Sequence, residues 1–289
     1  MIKRLTIIGV GLIGGSLARI LKQKGYCHEV VGCGRDVAHL KKARELGVID
    51  RFTQSVAEAV SGADMVVVAV PLGAMESCFS SMVGHLAADA VITDVGSAKG
   101  AVIAAARRAF GQLPVGFVPG HPIAGTEKSG VDASFAELYQ GRRVILTPLA
   151  ESAPDAVAKT RAMWEQAGAH VDEMAVAEHD ETLAVTSHLP QLLAYSLVNT
   201  LINRDESEAI FHSAGSGFRD TTRLAASDPV MWRDIALANK TAILAAIDDY
   251  SKTVAQLRET IQKGDGTTLE RSFNRARDAR IKFMNDVKN

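Results

Sequence analysis

The sequence lacks the features that mark secreted, membrane-spanning and nucleic-acid-binding proteins. Its three cysteines, Cys27, Cys33 and Cys78, are odd in number and have no metal-ligand spacing. This argues against a disulfide framework or a metal site and favours reduced thiols in the cytoplasm. No apolar run approaches the length of a membrane span, and a formal net charge of -1 gives no reason to expect nucleic acid or a membrane surface as a partner. The 289 residues are enough for one large or two ordinary domains.

A glycine-rich turn lies close to the N-terminus, between an apolar strand and an apolar helix. The apolar residues 3–9 predict a buried parallel strand, and Gly9, Gly11 and Gly14 follow in G-x-G-x-x-G spacing. The first glycine permits a tight turn, the second lets the backbone approach a pyrophosphate, and the third allows helix and strand to pack closely. We therefore expect Gly9, Gly11, Leu12, Ile13 and Gly14 to bind a dinucleotide at the helix N-terminus. The alternative is a closely packed helix with no ligand.

The end of the second predicted strand, residues 29–33, bears on the choice of cofactor. An NAD site usually offers an acidic residue about 20 residues beyond the glycines, where it binds the ribose 2′-hydroxyl. This sequence has Gly34 and Arg35 there, with Asp36 behind. A small residue followed by arginine leaves space and positive charge for a 2′-phosphate, so NADP is favoured over NAD. Alternatively, Asp36 caps the next helix and Arg35 is merely solvated.

Strand signals occur throughout the first part of the chain and stop near residue 173. Further strands are predicted at 64–70, 90–95, 115–119, 143–147 and 169–173, and long helical patterns then cover 175–203, 207–213, 229–263 and 268–287. The pattern predicts an α/β chain: an N-terminal Rossmann-type doubly wound parallel sheet in residues 1–173, then an all-helical C-terminal dimerisation domain in residues 174–289. Pro190 should kink the first long helix near His188. Helices this long favour packing against a second copy in a homodimer.

Polar residues follow two predicted strands at the carboxyl edge of the sheet, where open α/β sheets bind ligands. Ser97 could cap the helix from Lys99 to Phe110 or face a bound nicotinamide or substrate. His121 lies on a glycine-punctuated loop after the strand at 115–119, and the same loop carries Thr126, Glu127 and Lys128. The alternative is a surface loop that happens to contain a histidine. Along the cofactor itself, we expect contacts from Val70, Pro71 and Ser97.

Three stretches of the helical half carry polar residues that do not fit an amphipathic stripe. His188 and Gln191 are three residues apart and share a helix face near the predicted kink. The other two stretches contain Arg219, Arg223 and Arg233. An arginine that faces the cleft would bind a carboxylate through two hydrogen bonds, which suits an organic-acid substrate. The alternative for each arginine is a surface or subunit contact.

Six motifs together resemble those of the prephenate/arogenate (cyclohexadienyl) dehydrogenase family of tyrosine biosynthesis. In chain order they are GVGLIGGSLA, DVGSAKG, GHPIAGTEKSGV, SHLPQ, GFRDTTRLA and SDPVMWRDI, and the resemblance runs from Lys3 to about Val287. It implies NAD(P)-dependent oxidative decarboxylation of prephenate to 4-hydroxyphenylpyruvate, of arogenate to tyrosine, or of both. It also implies a dimer formed through the C-terminal helices. The alternatives are a β-hydroxyacid dehydrogenase-like oxidoreductase, which the His121 loop argues against, and a non-catalytic NADP-binding sensor.

The resemblance also implies roles for individual residues. His121 matches the histidine that accepts a hydrogen bond from the substrate hydroxyl, Ser97 the serine near it, and Arg223 the arginine that binds the ring carboxylate. Other family residues on the substrate side of the active site are matched by Thr126, Glu127, His188 and Gln191. Some members have a histidine at Gln191, so the choice between prephenate and arogenate stays open. The chain leaves no room for a fused mutase or regulatory domain, so we expect any control by tyrosine to act at the active site.

Overall fold

The computed structural model describes residues 1–126, 128–205 and 207–286. Six parallel strands form its main sheet in the order β3-β2-β1-β4-β5-β6. These strands are β1 (Ile2–Ile8), β2 (Cys27–Cys33), β3 (Arg51–Thr53), β4 (Met65–Val68), β5 (Val91–Asp94) and β6 (Phe117–Val118). The accompanying helices are α1 (Leu12–Gln23), α2 (Val37–Glu45), α3 (Val56–Val60), α4 (Leu72–Ser80), α5 (Lys99–Phe110) and α6 (Pro154–Gln166). The strand order is that of doubly wound dinucleotide-binding folds, so the predicted fold is confirmed.

The main sheet is buried on both faces because successive side chains of a strand point to opposite sides. Ile7 belongs to the apolar cluster that contains Trp164, whereas its neighbour Ile8 belongs to the cluster that contains Phe79. All four residues of β4 are buried. Near-continuous apolar runs of this kind are what a parallel sheet covered by helices on both faces requires.

His121 lies in a short strand of a second sheet, which corrects the prediction that it lies on a loop. The second sheet consists of β7 (Gly120–Pro122), β8 (Arg143–Leu146) and β9 (His170–Glu173). β7 pairs with β8 in antiparallel register, which places His121 opposite Ile145. A Cβ atom at Gly120 would lie 3.2 Å from the backbone oxygen of Asp94. Gly120 therefore lets the chain leave β6 close to β5 and carry His121 to the end of that strand.

The helical part begins with three segments that follow one another directly: α7 (Val176–Leu183), a π-helical turn (Ala184–His188) and α8 (Leu189–Ile202). The π turn lies where the sequence predicts a kink, just before Pro190, because proline removes a backbone donor and disfavours regular helix on its N-terminal side. The remaining segments are α9 (Ser207–His212), α10 (Ser216–Thr222), a 3-10 turn (Arg223–Ala226), α11 (Pro229–Ala238), α12 (Lys240–Gln262) and α13 (Gly266–Asp286). The prediction of one helix over 229–263 is wrong, because Asn239 separates α11 from α12.

Two compact units make up the chain, residues 1–240 and 241–289. The first contains both sheets and every residue of the site described below. The second contains most of α12 and, within the described residues, all of α13. Among the described helices, none combines the length and apolar character that crossing a membrane requires.

Candidate active site

The glycine turn between β1 and α1 has the geometry that dinucleotide binding requires. Gly9 has φ of 94°, and a Cβ atom there would lie 2.2 Å from the backbone oxygen of Ala69. A Cβ atom at Gly14 would lie 2.4 Å from the backbone oxygen of Gly9, whereas one at Gly11 would meet nothing within 4 Å. Gly9 and Gly14 are thus required by the tight turn and by helix–strand packing. The open space is at Gly11.

The open space over Gly11 fits a pyrophosphate. Gly11 is the N-cap of α1, and no side chain caps this helix. The first backbone N–H groups of a helix have no partner within it and attract anions. The first turn of α1 contains Leu12 and Ile13 and carries no acidic side chain. These N–H groups and the small residue at position 11 are suited to hold the phosphates.

At the ribose end of the cofactor cleft, Asp36 caps α2. Its carboxylate accepts hydrogen bonds from the backbone N–H groups of Ala38 at 2.8 Å and His39 at 3.2 Å. The side chain of Arg35 is exposed, and its backbone oxygen accepts a hydrogen bond from Gln54. Asp36 therefore has the capping role that the sequence offered as one alternative, and Arg35 is the cation next to the end of β2.

A chain of three side chains leads from α7 to His121. The carboxylate of Asp180 accepts a hydrogen bond from Nδ1 of His179 at 2.8 Å. Nε2 of His179 lies 2.9 Å from Nδ1 of His121. His179 is fully buried and His121 is 9% exposed. Because Nδ1 of His121 faces His179, the ring nitrogen that remains for a ligand is Nε2.

Asp180 also caps α5, so Ser97 does not have the capping role that the sequence offered as one of its two alternatives. Its two carboxylate oxygens accept hydrogen bonds from the backbone N–H groups of Lys99 at 2.8 Å and Gly100 at 2.9 Å. The N-cap residue is Ala98, and no side chain within the helix start caps it. Ser97, half-buried at the carboxyl edge of the sheet, retains its other predicted role of facing a ligand.

A buried ion pair lies beneath His121. Nζ of Lys99 donates to the carboxylate of Asp94 and to the backbone oxygen of Gly120, at 2.5 Å in each case, and both side chains of the pair are fully buried. Asp94 also accepts from the backbone N–H groups of Gly96 at 2.7 Å and Gly120 at 3.2 Å. The pair joins the end of β5 to the start of β7 and thereby holds the residue that precedes His121.

The pKa values of this cluster favour an uncharged His121. Burial, followed by the charges of Lys99, His179 and His188, holds the pKa of His121 well below its usual value. Burial also lowers the pKa of Lys99, although Asp94 opposes this shift. For Asp180 burial works toward a higher pKa, but hydrogen bonds from His179 and from the backbone of α5 lower it overall. At neutral pH the site thus contains an ionised carboxylate and a neutral His121 imidazole.

A third buried histidine, His188, ends the π turn that follows α7. Nδ1 of His188 lies 3.2 Å from Nδ2 of Asn239, which also donates to the backbone oxygen of Asp180 at 2.8 Å. Nε2 of His188 is buried and has no hydrogen-bond partner among the described residues. Burial lowers the pKa of His188 to about 4. Its ring packs edge-on against that of Trp232.

The other predicted substrate residues lie on α8, on the 3-10 turn after α10 and on the segment after β7. Gln191 is buried, and its amide donates to the backbone oxygen of Leu224 at 2.6 Å, so it joins α8 to the 3-10 turn that begins with Arg223. Arg223 is exposed in the single chain. Thr126 is exposed and accepts from the backbone N–H of Lys128 at 3.2 Å. Glu127 lies outside the described residues.

The predicted arginines and cofactor contacts are placed as follows. Arg219 is exposed, and Arg233 pairs with Asp234 at 2.7 Å. Val70 follows β4 beside the glycine turn, where its side chain would lie 3.1 Å from a Cβ atom at Gly9, and Pro71 is the N-cap of α4. The sequence-based reasoning missed Asp94, Lys99, His179, Asp180 and Asn239.

Comparison with known proteins gives matches over nearly the whole chain. The family model described as prephenate dehydrogenase, nucleotide-binding domain, matches residues 17–173, and the one described as prephenate dehydrogenase, dimerization domain, matches residues 175–275. A cyclohexadienyl dehydrogenase from Zymomonas mobilis is 39% identical, over 98% of this chain and 97% of that protein.

Two solved structures are similar along their full length. The prephenate dehydrogenase from A. aeolicus, in complex with hydroxyphenyl propionate and NAD+, superposes with a TM-score of 0.92 at 35% identity, over 98% of this chain and 99% of that one. The Synechocystis arogenate dehydrogenase superposes with a TM-score of 0.82 at 28% identity, over 97% of this chain and 99% of that one.

Proposed function

We propose a reaction and a cofactor preference from one premise, that this chain belongs to the prephenate/arogenate dehydrogenase family. It is an NAD(P)-dependent dehydrogenase of tyrosine biosynthesis. The proposed reaction is the oxidative decarboxylation of prephenate, of arogenate or of both. The observation that carries this proposal is the buried, neutral His121 at the edge of the sheet that also carries the dinucleotide turn.

In this reaction His121 acts on the hydroxyl group of the substrate ring. A nicotinamide cofactor bound at the glycine turn would supply the acceptor for the hydride from ring carbon C4. Nε2 of His121 accepts a hydrogen bond from the C4 hydroxyl, takes up its proton and thereby favours the developing ketone. The ring carboxylate leaves as CO2, and its bonding electrons pass through the ring to the C4 oxygen. The ring becomes aromatic, and the C4 oxygen regains its proton from His121. Only an uncharged imidazole can accept the hydroxyl proton, so the lowered pKa of His121 matches the role.

We assign substrate binding to residues that precede His121 in the sequence and to residues that follow it. We assign the hydrogen bond beside His121 to Ser97, which lies at the same sheet edge, and the ring carboxylate to Arg223, whose guanidinium suits a carboxylate. Thr126 and Glu127 would line the entrance, and His188 and Gln191 would lie near the substrate side chain. Gln191 donates a hydrogen bond to Leu224, in the same 3-10 turn as Arg223. This contact supports the assignment of Gln191 and Arg223 to one binding site.

For the cofactor, we propose NADP in preference to NAD. Asp36 is engaged in capping α2, and Arg35 offers an exposed cation beside the end of β2. This arrangement favours a 2′-phosphate, because a guanidinium binds it in a charge-assisted, bidentate manner. The phosphates of the cofactor would occupy the turn of Gly9, Gly11 and Gly14.

We also propose that the domains divide at residues 173 and 174 and that the protein is a homodimer through its C-terminal helices. The two family models meet between residues 173 and 175, and the second describes a dimerization domain. The cytoplasmic location expected from the cysteines stays a prediction.

The test is a comparison of four assays on the purified protein: prephenate or arogenate, each with NADP or NAD. We expect turnover with at least one substrate and a higher kcat/KM with NADP than with NAD. A higher kcat/KM with NAD would refute the cofactor preference and leave the reaction intact. No turnover in any of the four assays would refute the proposed reaction.

A paired variant isolates the contribution of Arg35. In Arg35→Ala, kcat/KM for NADP should fall about 10-fold or more, as expected for the loss of a charge-assisted phosphate contact, while kcat/KM for NAD should change little. Lys41→Ala removes an exposed cation from α2 and is the matched control. Equal losses for both cofactors in Arg35→Ala would show that Arg35 does not distinguish them.

A further inference from the structure

We propose that His179 and Asp180 are positioning residues that set the tautomer of His121, so that its Nε2 atom meets the substrate as a hydrogen-bond acceptor. The inference rests on the function proposed above, because it concerns how His121 is prepared for that reaction. It adds two residues of α7 to the site, neither of which needs to touch the substrate.

The argument starts from the protons around Asp180. Its carboxylate accepts from two backbone N–H groups at the start of α5, those of Lys99 and Gly100. Such a carboxylate is ionised and can only accept. Nδ1 of His179, at 2.8 Å from the same carboxylate, must therefore carry a proton. With this one proton on the ring of His179, its Nε2 atom is the acceptor.

The order of donors continues into His121. Because Nε2 of His179 accepts, the atom 2.9 Å away, Nδ1 of His121, must donate. The neutral imidazole of His121 has one proton, and this hydrogen bond places it on Nδ1. Nε2 of His121 therefore carries a lone pair. The opposite tautomer would place lone pairs of Nδ1 of His121 and Nε2 of His179 against each other.

Further hydrogen bonds hold His121, His179 and Asp180 in place. Asp94 and Lys99 hold the backbone before His121 through Gly120. Asn239 holds the backbone oxygen of Asp180 and faces His188. The charged and titratable groups around His121 are Lys99 from α5, His179 from α7 and His188 from the π turn, and Asp180 contacts His179 behind it. Asp180 couples two tasks, since it caps α5 and orients His179.

The deciding measurement is the protonation of the His121 ring nitrogens, by NMR of protein labelled with 15N-histidine. His121→Asn provides the assignment. In the unmodified protein with cofactor bound, we expect a protonated Nδ1 and an unprotonated Nε2 at pH 7.5. This readout needs no substrate. A protonated Nε2, whether from the other tautomer or because His179 carries two protons, would overturn the proposal.

Two substitutions at one position separate positioning from packing. In His179→Leu, an Nδ1 proton on His121 would face an apolar side chain, so the ring should move its proton to Nε2. We expect kcat to fall by about 100- to 10,000-fold, the upper figure being the effect of a wrong histidine tautomer in a serine protease. In His179→Gln, an amide oxygen can accept from Nδ1. That variant should keep the tautomer and retain kcat within about tenfold.

Asp180→Ala is the second route to the same comparison should His179→Leu fail to fold. It should lower kcat with a smaller change in KM, and Asp180→Asn should restore the His121 tautomer, because its amide oxygen can still accept from His179. Asp265→Ala, which removes an exposed helix cap of α13, is the control for the loss of a cap alone. Loss of kcat in the position-179 and position-180 variants without any change in the nitrogen shifts of His121 would overturn the proposal. Absence of turnover in the unmodified protein would refute the reaction and leave the tautomer result standing.

Discussion

The neighbours of His121 suit it to the proposed role of a base. An exposed histidine is partly protonated near neutral pH, whereas His121 is buried beside Lys99 and two further histidines, which lower its pKa. A neutral ring can take up the proton that the substrate hydroxyl loses. The nearby Lys99, paired with Asp94, adds positive charge that disfavours a second one on His121. We therefore expect the loss of the His121 imidazole to lower the activity more than the loss of any other single side chain.

His121→Asn should keep the fold and cofactor binding and lose most turnover. An asparagine amide can hydrogen-bond to the substrate but cannot take up a proton, so we expect kcat to fall by about 100- to 10,000-fold. The dissociation constant of NADP, measured by fluorescence titration, should change little. His170→Asn changes an exposed histidine of β9 and should leave both quantities as they are. Near-normal turnover in His121→Asn would remove His121 from the mechanism.

At the scale of elements, the sequence predicts what is local and misses what is brought together by folding. The spacing of Gly9, Gly11 and Gly14 carries its own geometry, because each glycine answers a steric demand within one turn. Ser97, two residues before α5, has the type and position of a helix cap, and yet Asp180 caps α5. No periodicity of the sequence indicates that α7 packs on the start of α5.

The same limit explains why Asn239 was not recognised. The residues on both sides of it continue a helical pattern, and asparagine is only mildly unfavourable inside a helix. In the fold, the break at Asn239 lets its amide reach the backbone of Asp180 and the ring of His188. Two tertiary hydrogen bonds of the buried Asn239 side chain thus override the helix propensity of residues 229–263.

Removal of the Asn239 amide should destabilise the protein. Asn239→Ala leaves Nδ1 of His188 buried without a donor and removes one of the two donors to the backbone oxygen of Asp180, the other being the backbone N–H of Ala184. We expect a cost of about 1–3 kcal/mol in the free energy of unfolding. Asn199→Ala makes the same chemical change at an exposed position of α8 and should alter that free energy by about 0.5 kcal/mol or less. Urea denaturation of both variants measures the difference. Equal urea midpoints for the two variants would show that the two hydrogen bonds of Asn239 make no net contribution to the free energy of unfolding.

On the scale of the whole molecule, the exposed apolar residues of α12 form a surface that suits the proposed contact with a second copy. Tyr250, Val254, Leu257 and Ile261 are all exposed, and their spacing of four, three and four residues places them on one face of the helix. A continuous apolar stripe of this kind on a monomer surface marks an interaction site. The family model that matches residues 175–275 describes a dimerization domain, which is why we assign the stripe to the proposed homodimer.

Charges placed in this stripe should dissociate the proposed dimer. By sedimentation equilibrium, the unmodified protein should have twice the 30.8 kDa mass of one chain. The double variant Val254→Lys and Leu257→Lys should approach the mass of one chain, because burying an unpaired ammonium group costs several kcal/mol. Its melting temperature should also fall, since association stabilises the folded chain. Gln256→Lys introduces the same charge on another face of α12 and should leave the mass unchanged. A double variant that keeps the mass of two chains would place the subunit interface elsewhere, and a single-chain mass for the unmodified protein would refute the homodimer.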